Sequence, residues 1–188
     1  MKIFGISGTN GSGKDSLGIM LAEKYGYLFV SVTEILRSEA IRRGLPVERE
    51  VLRTISAEWR RESGLGVLID KSVELFNAEP GKYAGLAIAS LRNDGEGKRV
   101  HELGGLVVWI DADPKVRYNR IHSRQRSNED QKTFDQFLAE EQAEMYRSGD
   151  AATLNTASLK DQSDIVIVND SDSVDEFVYH AKDVLKLT

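Results

Sequence analysis

A glycine-rich segment near the N-terminus constrains the fold of this 188-residue chain more than any other feature. Gly8, Gly11, Gly13 and Lys14 fit the pattern G-x-x-x-x-G-K, and the apolar run Lys2–Ile6 directly precedes them. Glycines let the backbone turn several N–H groups toward one anion, and the positive end of a following helix adds to the attraction. Lys14 would then reach the outer phosphates of a nucleotide. The pattern predicts a strand, a phosphate-binding loop and a helix in that order.

The rest of the chain alternates short apolar runs with amphipathic stretches. Four further strands are predicted, at 27–30, 83–89, 106–111 and 164–168. Between them lie helical patterns, whose predicted N-terminal caps are Ser31, Asp113, Thr133 and Ser173. Strands that alternate with helices indicate an α/β fold with a parallel sheet. In such sheets ligands bind beyond the carboxyl ends of the strands.

Composition excludes several classes of protein. The net charge of −5 argues against nucleic acid as the partner. With no cysteine, the chain can form no disulfide, iron–sulfur cluster or thiolate zinc site. Its three histidines lie far apart, and no apolar run approaches the length of a membrane span. We expect a cytoplasmic protein with small-molecule partners and no membrane contact, and the sequence leaves the oligomeric state open.

The chain resembles the P-loop nucleoside monophosphate kinase superfamily, over nearly its whole length. It is most similar to an archaeal nucleotide-kinase-like family related to adenylate and dephospho-CoA kinases. The GKD form of its loop also looks like that of phage-type deoxynucleotide kinases and phosphomevalonate kinases. The resemblance implies a single three-layer α/β/α P-loop domain over 1–188, with a monophosphate-binding insertion at about 31–80 and a lid at about 126–150. The segments that carry it are 8–14, 30–37, 88–92, 111–126 and 165–170.

The resemblance also implies which residues hold the acceptor. In these kinases an arginine after the second strand and another after the third grip the acceptor's phosphate, and Arg37 and Arg92 match them. Two arginines suit bidentate contact with a phosphate group. Thr33 belongs to the first of these segments, and Glu96 matches a position near the acceptor base. An isolated arginine would otherwise be read as a solvated surface charge.

Arginines on the segment after the fourth strand are candidates for catalysis. Arg117, Arg120 and Arg124 share one helix face, and the last two have no acidic residue three or four positions away. Charge on a bound partner therefore explains them better than local ion pairing, since arginines stabilise a transferring phosphoryl group. In the kinases that the chain resembles, arginines here flank the nucleotide, which implies Arg120, Arg124 and also Arg126. Within the lid, Arg147 is a further candidate, whereas the acidic residues of 140–144 are expected on a solvated surface.

The predicted nucleotide is ATP with Mg²⁺, but two positions depart from the kinase pattern. Asp15 replaces the Ser or Thr that normally contacts Mg²⁺, and Ala89 stands where the third strand should end in Asp. Asp15 then either binds Mg²⁺, directly or through water, or weakens nucleotide binding, and Ser16 could serve in its place. Asp111 is a further candidate for the metal, whereas Asp113 is explained as a helix cap. The predicted ATP-binding residues are Gly8, Asn10, Gly11, Ser12, Gly13, Lys14, Asp15, Ser16, Arg120 and Asn169.

The sequence thus predicts transfer of the γ-phosphoryl group of Mg-ATP to a nucleoside monophosphate, ribo or deoxyribo. Lys14, Arg92, Arg120 and Arg124 are its predicted catalytic residues. A dephospho-CoA kinase-like activity is the alternative substrate hypothesis. An ATP-binding protein that has lost catalysis is a third hypothesis, because both Asp15 and Ala89 depart from the pattern. A GTPase is disfavoured, since the guanine motif N-K-x-D is absent.

The replacement at Asp15 generates a prediction about magnesium. If the carboxylate that serves Mg²⁺ has moved from the third strand to the loop, Asp15→Ala abolishes Mg²⁺-dependent turnover, and Asp15→Ser restores it only in part. The measurement is the turnover rate as a function of Mg²⁺ concentration for the two variants. Normal activity of Asp15→Ala would refute the hypothesis.

Overall fold

The computed structural model describes the whole chain except residues 125–131, 147–148, 172 and 188. In the described part, five parallel strands form one sheet in the order β2-β3-β1-β4-β5. The strands are β1 (Lys2–Gly8), β2 (Tyr27–Ser31), β3 (Gly85–Ala89), β4 (Leu106–Asp111) and β5 (Ile165–Val168). The helices are α1 (Lys14–Tyr25), α2 (Val32–Arg42), α3 (Arg49–Ser63), α4 (Val67–Asn77), α5 (Asp94–Glu102), α6 (Pro114–Arg124), α7 (Phe134–Met145), α8 (Thr156–Asp161) and α9 (Val174–Val184).

Two apolar cores cover the two faces of the sheet, because neighbouring residues of a strand point to opposite sides. Ile3, Ile88 and Trp109 belong to the core that contains side chains of α2–α5 and α8. Phe4 and Ile110 belong to the core beneath α1 and α9. Burial on both sides explains why the central strands are almost wholly apolar. The three-layer α/β/α P-loop fold expected from the sequence is confirmed.

The N-terminal helix caps predicted from the sequence are confirmed in part. Thr133 and Gln136 form both bonds of a capping box at α7, and Asp113 accepts bonds at the start of α6. Ser31 is the residue before α2, but its side chain makes no capping bond. Ser173 caps α9 with its hydroxyl. The sequence reading did not identify α5 or α8 as separate helices. Its insertion segment, at about 31–80, contains α2, α3 and α4.

The carboxyl ends of the parallel strands bring the predicted site segments to one edge of the sheet. There β1 continues into the loop before α1, and Ser31 leads into α2. The segment after β3 turns sharply at Ser90, whose φ of 69° is uncommon for a residue with a side chain. Ser7 Oγ donates to the carbonyl of Leu91 at 2.8 Å, which ties this turn to β1. The fold therefore fixes Arg92 beside the loop. In the described ranges no helix is long and apolar enough to cross a membrane.

Candidate active site

The segment Gly8–Lys14 has the backbone of an anion cradle. Gly8, Gly11 and Gly13 have φ values of 142°, 79° and 105°, which a side chain would disfavour. A Cβ on Gly8 would lie 2.0 Å from the carbonyl oxygen of Ile110, so only glycine lets β1 pass this close to β4. The loop ends at the N-terminus of α1, where unpaired backbone N–H groups and the helix dipole favour an anion.

Lys14 lies across this loop and is buried. Its Nζ donates to the carbonyl oxygens of Gly8, at 3.0 Å, and Thr9, at 2.6 Å. Burial, together with the nearby charges of Arg92 and Arg117, lowers the pKa of Lys14 to about 7, although Asp15 and Glu144 act in the opposite direction. The amine thus lies in a site that is short of negative charge. A bound phosphate would supply that charge.

Hydrogen bonds from Ser12 and Asn169 stabilise the loop. Ser12 Oγ donates to the carbonyl of Thr9 at 2.8 Å, and Asn169 Nδ2 donates to the carbonyl of Ser12 at 2.7 Å. A Cβ on Gly13 would come within 2.6 Å of that amide nitrogen. Asn169 Oδ1 is buried and makes no hydrogen bond with the described residues. Asn169 therefore contacts the loop directly. This contact is compatible with the prediction from the sequence that Asn169 lies near the nucleotide.

Asp111 fixes the other side of the loop. Its carboxylate accepts from the Thr9 hydroxyl at 2.9 Å and from Lys160 Nζ at 3.2 Å. Burial raises the pKa of Asp111, but hydrogen bonds from Thr9, Trp109, the Ala112 backbone and Lys160 together lower it. The ionised side chain is consequently engaged in joining β4 to the loop.

Arg117 is the first of the three arginines on the α6 face, and it is not among the site residues predicted from the sequence. Its guanidinium is buried, donates to the carbonyl of Ala112 at 2.8 Å and approaches the carbonyl of Asn10 at 3.4 Å. It also forms a two-pronged ion pair with Glu141 of α7. The i, i+3 spacing with Arg120 was the available signal. Neither Asn10 nor Glu141 is near Arg117 in the sequence.

The other two candidate arginines on α6 are Arg120, whose side chain the structure describes, and Arg124, whose side chain it does not describe. Arg120 is half-buried and donates to the carbonyl of Ser171, in the segment that follows β5. The described part of α6 does not include the side chain of Arg124. Arg126 and Arg147 also lie outside the described residues.

Arg92 is one of three arginines around a single carboxylate. Glu144 of α7 accepts from Arg92 at 2.7 Å, from Arg53 at 2.8 Å and from Arg49 at 3.2 Å. Three of these four side chains, those of Arg49, Arg92 and Glu144, border a cleft that also contains Gly8 and the residues after it. The sequence predicted a role in binding for Arg92. The expectation that Glu144 lies on a solvated surface is wrong, because three arginines surround its carboxylate and only 15% of its side chain is exposed. Nothing in the sequence singles out Arg49 or Arg53, which the packing of α3 and α7 brings to Glu144.

The acceptor-side prediction on α2 has a different setting. Thr33 is half-buried in the first turn of α2. Arg37 is exposed on the same helix and pairs with Glu34 at 2.7 Å, one turn earlier. An exposed pair of this kind contributes little to stability, so it leaves Arg37 able to exchange its partner for a ligand. The structure does not bring Arg37 into the cluster that contains Arg92.

Glu96 makes hydrogen bonds inside the protein, whereas the sequence predicted that it contacts the base of the acceptor. It is fully buried, and one oxygen accepts from Arg60 at 2.7 Å. The other accepts from the backbone N–H groups of Arg92, at 2.7 Å, and Asn93, at 3.1 Å, closing a capping box at α5. Both oxygens are thus used inside the protein. This anchor holds the backbone of Arg92 in place.

The residues available to Mg²⁺ are few. Asp15 is exposed in the first turn of α1, Ser16 is half-buried beside it, and Ala89 offers no ligand at the end of β3. Among the described residues, no three acidic or histidine side chains lie close enough to form a metal site by themselves. Mg²⁺ in phosphoryl-transfer sites is often held by one carboxylate, water and substrate phosphates. Asp15 fits that kind of site.

No protein-family model matches the sequence. Curated relatives match it over nearly their whole length. A UPF0200 protein of Pyrobaculum aerophilum is 31% identical over 178 residues, which cover 94% of this chain and 92% of that protein. Another UPF0200 protein, from Pyrococcus abyssi, is 29% identical over 180 residues, covering 92% and 89%.

Solved structures share the fold. A shikimate kinase from Bacteroides thetaiotaomicron superposes with a TM-score of 0.60 at 16% identity, covering 100% of this chain and 99% of that one. A gluconokinase from Sinorhizobium meliloti gives a TM-score of 0.54 at 16% identity, with coverages of 98% and 91%. At these identities the similarity concerns the fold alone.

The Glu96–Arg60 pair generates a prediction that separates stability from binding. Glu96→Gln leaves the buried Arg60 charge without its partner, so we expect the free energy of unfolding to fall by about 3–5 kcal/mol. Urea denaturation measures it. The matched control is Glu102→Gln on the same helix, whose exposed pair with Arg99 should contribute less than about 1 kcal/mol. Unchanged stability with weakened binding of one nucleotide base would restore the original prediction for Glu96.

Proposed function

This chain belongs to the UPF0200 family, and we propose that it is an ATP-dependent phosphotransferase whose acceptor is a nucleoside monophosphate. The observation that carries the proposal is that Arg92 lines one cleft with the first residues of the loop Gly8–Lys14, while the buried Arg117 donates to the loop carbonyl of Asn10. Three cations around an anion cradle suit a reaction in which negative charge spreads over the oxygens of a moving phosphoryl group. The kinase folds of the structural neighbours agree with this reading.

The donor side follows from the loop. Backbone N–H groups of Gly11–Lys14 would hold the phosphates of ATP, and Lys14 would exchange its two carbonyl partners for phosphate oxygens. Arg117 lies next to the carbonyl of Asn10, and Arg120 reaches the segment after β5. We place both on the nucleotide side, together with Asn169. We propose that Asp15, with Ser16 beside it, holds Mg²⁺, which when bound neutralises charge on the phosphates.

The acceptor side follows from Arg92. In this structure it shares a carboxylate with Arg49 and Arg53, so three guanidinium groups can face one anion. Guanidinium groups bind phosphate in a bidentate manner. An uncharged alcohol acceptor has no need of such a cluster, which favours an acceptor that already carries a phosphate. Thr33 and Arg37 on α2 stay predicted contacts to the acceptor.

The segment predicted as a lid contains α7, which borders the same cleft through Phe137, Glu141 and Glu144. We propose that it excludes water during transfer, because water would otherwise accept the phosphoryl group. Arg124 would act from the end of α6, beside this lid. ATP binding without transfer is the competing function, and Ala89 favours it, since β3 supplies no carboxylate.

The test is release of ADP from Mg-ATP in the presence of each ribo- and deoxyribonucleoside monophosphate, dephospho-CoA and phosphomevalonate. We expect turnover with a nucleoside monophosphate. Turnover only with dephospho-CoA would support the alternative substrate. No turnover with any acceptor, while ATP binds by calorimetric titration, would replace the proposal with ATP binding alone.

Arg92 gives a prediction within that assay. Arg92→Gln removes a charged hydrogen bond to the acceptor, so kcat/KM for the acceptor should fall about 10- to 100-fold while the KM for ATP changes less than about twofold. Steady-state kinetics with either substrate varied measures both. Arg61→Gln, which removes an exposed pair with Asp150, is the control and should match the parent protein. An equal loss for both substrates would contradict an acceptor role.

Lys14 gives a prediction about protons. At about pH 8 the ligand-free amine, with a pKa of about 7, is mostly neutral, whereas bound phosphates raise the pKa and restore the charge. Binding of ADP should therefore take up close to one proton. Calorimetric titration in two buffers of different ionisation enthalpy measures this uptake. Lys14→Met should abolish it, and equal heats in both buffers for the parent protein would contradict the prediction.

A further inference from the structure

Glu144 occupies the position in this cleft that suits an anionic ligand. Its carboxylate lies within 3.2 Å of guanidinium nitrogens from three arginines, which come from two separate segments of the chain, α3 and the turn after β3. Only 15% of its side chain is exposed. Burial raises the pKa of Glu144, but Arg92, Arg49 and Arg53 outweigh burial and bring it down to about 2. The group is ionised at any physiological pH.

Three guanidinium groups share the single negative charge of Glu144. Two of them have further partners that are more exposed than Glu144, because Arg53 also contacts Glu50 and Arg49 lies 3.9 Å from Glu140. A phosphate monoester carries up to two negative charges and three terminal oxygens, so it matches this cluster better than a carboxylate does. A neutral hydroxyl group matches it worse, because it would displace the nearest negative charge of all three arginines and bring none in its place.

The position of Glu144 relative to the loop also suits a site for a phosphate group. The negative charge of Glu144 raises the pKa of Lys14, so the two groups interact across the cleft. Gly8, Thr9 and Asn10 border the same cleft as Arg92 and Glu144. An anion bound in place of the carboxylate would thus lie beside the proposed site of the donor's phosphates.

We propose that Glu144 is an internal occupant of the acceptor's phosphate site, bound to Arg49, Arg53 and Arg92 until a phosphate monoester displaces it. This rests on the proposed function and adds a determinant of specificity to it. Only an acceptor that brings its own phosphate replaces the lost ion pairs. Neutral alcohols are rejected, because the carboxylate outcompetes them. The observed affinity for the acceptor is the intrinsic affinity multiplied by the fraction of molecules in which Glu144 has left the site.

The test is calorimetric titration of inorganic phosphate at constant ionic strength, in the absence of nucleotide. Glu144→Gln keeps the shape of the side chain and removes its charge, so phosphate should bind at least about tenfold more tightly than to the parent protein. Asp135→Asn on the same helix is the matched control. It changes the net charge by the same amount, but Asp135 is exposed in the first turn of α7, so its phosphate affinity should stay within about twofold.

A double variant distinguishes this site from the loop, which also attracts phosphate. Adding Arg53→Gln to Glu144→Gln should cancel most of the gain, whereas a gain at the loop would persist. Glu144→Asp shortens the side chain but keeps the charge, so the protein with this substitution should bind phosphate with nearly the parent affinity. This variant is measured in place of Glu144→Gln if Glu144→Gln folds poorly. Phosphate affinity that is unchanged or weaker in Glu144→Gln would overturn the proposal.

These titrations are independent of turnover. A tenfold gain in phosphate affinity together with no kinase activity would support the site and refute the proposed function. Kinase activity without a gain in phosphate affinity would support the proposed function and refute the site.

Discussion

The cleft at the carboxyl edge of the sheet concentrates positive charge, and the arrangement around it depends on how that charge is compensated. Lys14, Arg92 and Arg117 converge from three different elements. Like charges in a half-buried space are stable only when opposite charges lie within a few ångströms. Helix α7 supplies them through Glu141 and Glu144, which are three residues apart and therefore face the same way. The position of α7 is thus coupled to the positively charged side chains of the cleft.

That coupling relates stability to function. In the ligand-free protein Lys14 bonds to its own loop carbonyls, and the arginines bond to the carboxylates of α7. Each of these partners is an oxygen in a position where a substrate could place a phosphate oxygen. Binding would then exchange one set of oxygen partners for another and would leave no buried cation unpaired at any stage.

Predictions from sequence succeeded where the interacting residues are neighbours in the chain. The loop Gly8–Lys14 and the capping box at Thr133 each depend on contacts within about one turn, so their spacing in the sequence predicts them. Glu96 shows the opposite case. Its position after Arg92 suggested a contact with a base, but Arg60, 36 residues away, holds its carboxylate in the interior. Arg49 and Arg53 have no local sequence pattern that distinguishes them from surface arginines, and Arg117 has only its i, i+3 spacing with Arg120.

The sequence by itself determined the parallel α/β architecture, the glycine-rich loop before α1 and the place of that loop at the carboxyl ends of the strands. Strand and helix periodicity and the backbone freedom of glycine are local properties, and the sequence records them directly. Only the tertiary structure decided which charges meet in the cleft. Glu141 lies 24 residues from Arg117, and Glu144 lies 52 residues from Arg92. Electrostatic attraction acts through distance in space, and the packing of α3, α6 and α7 sets that distance.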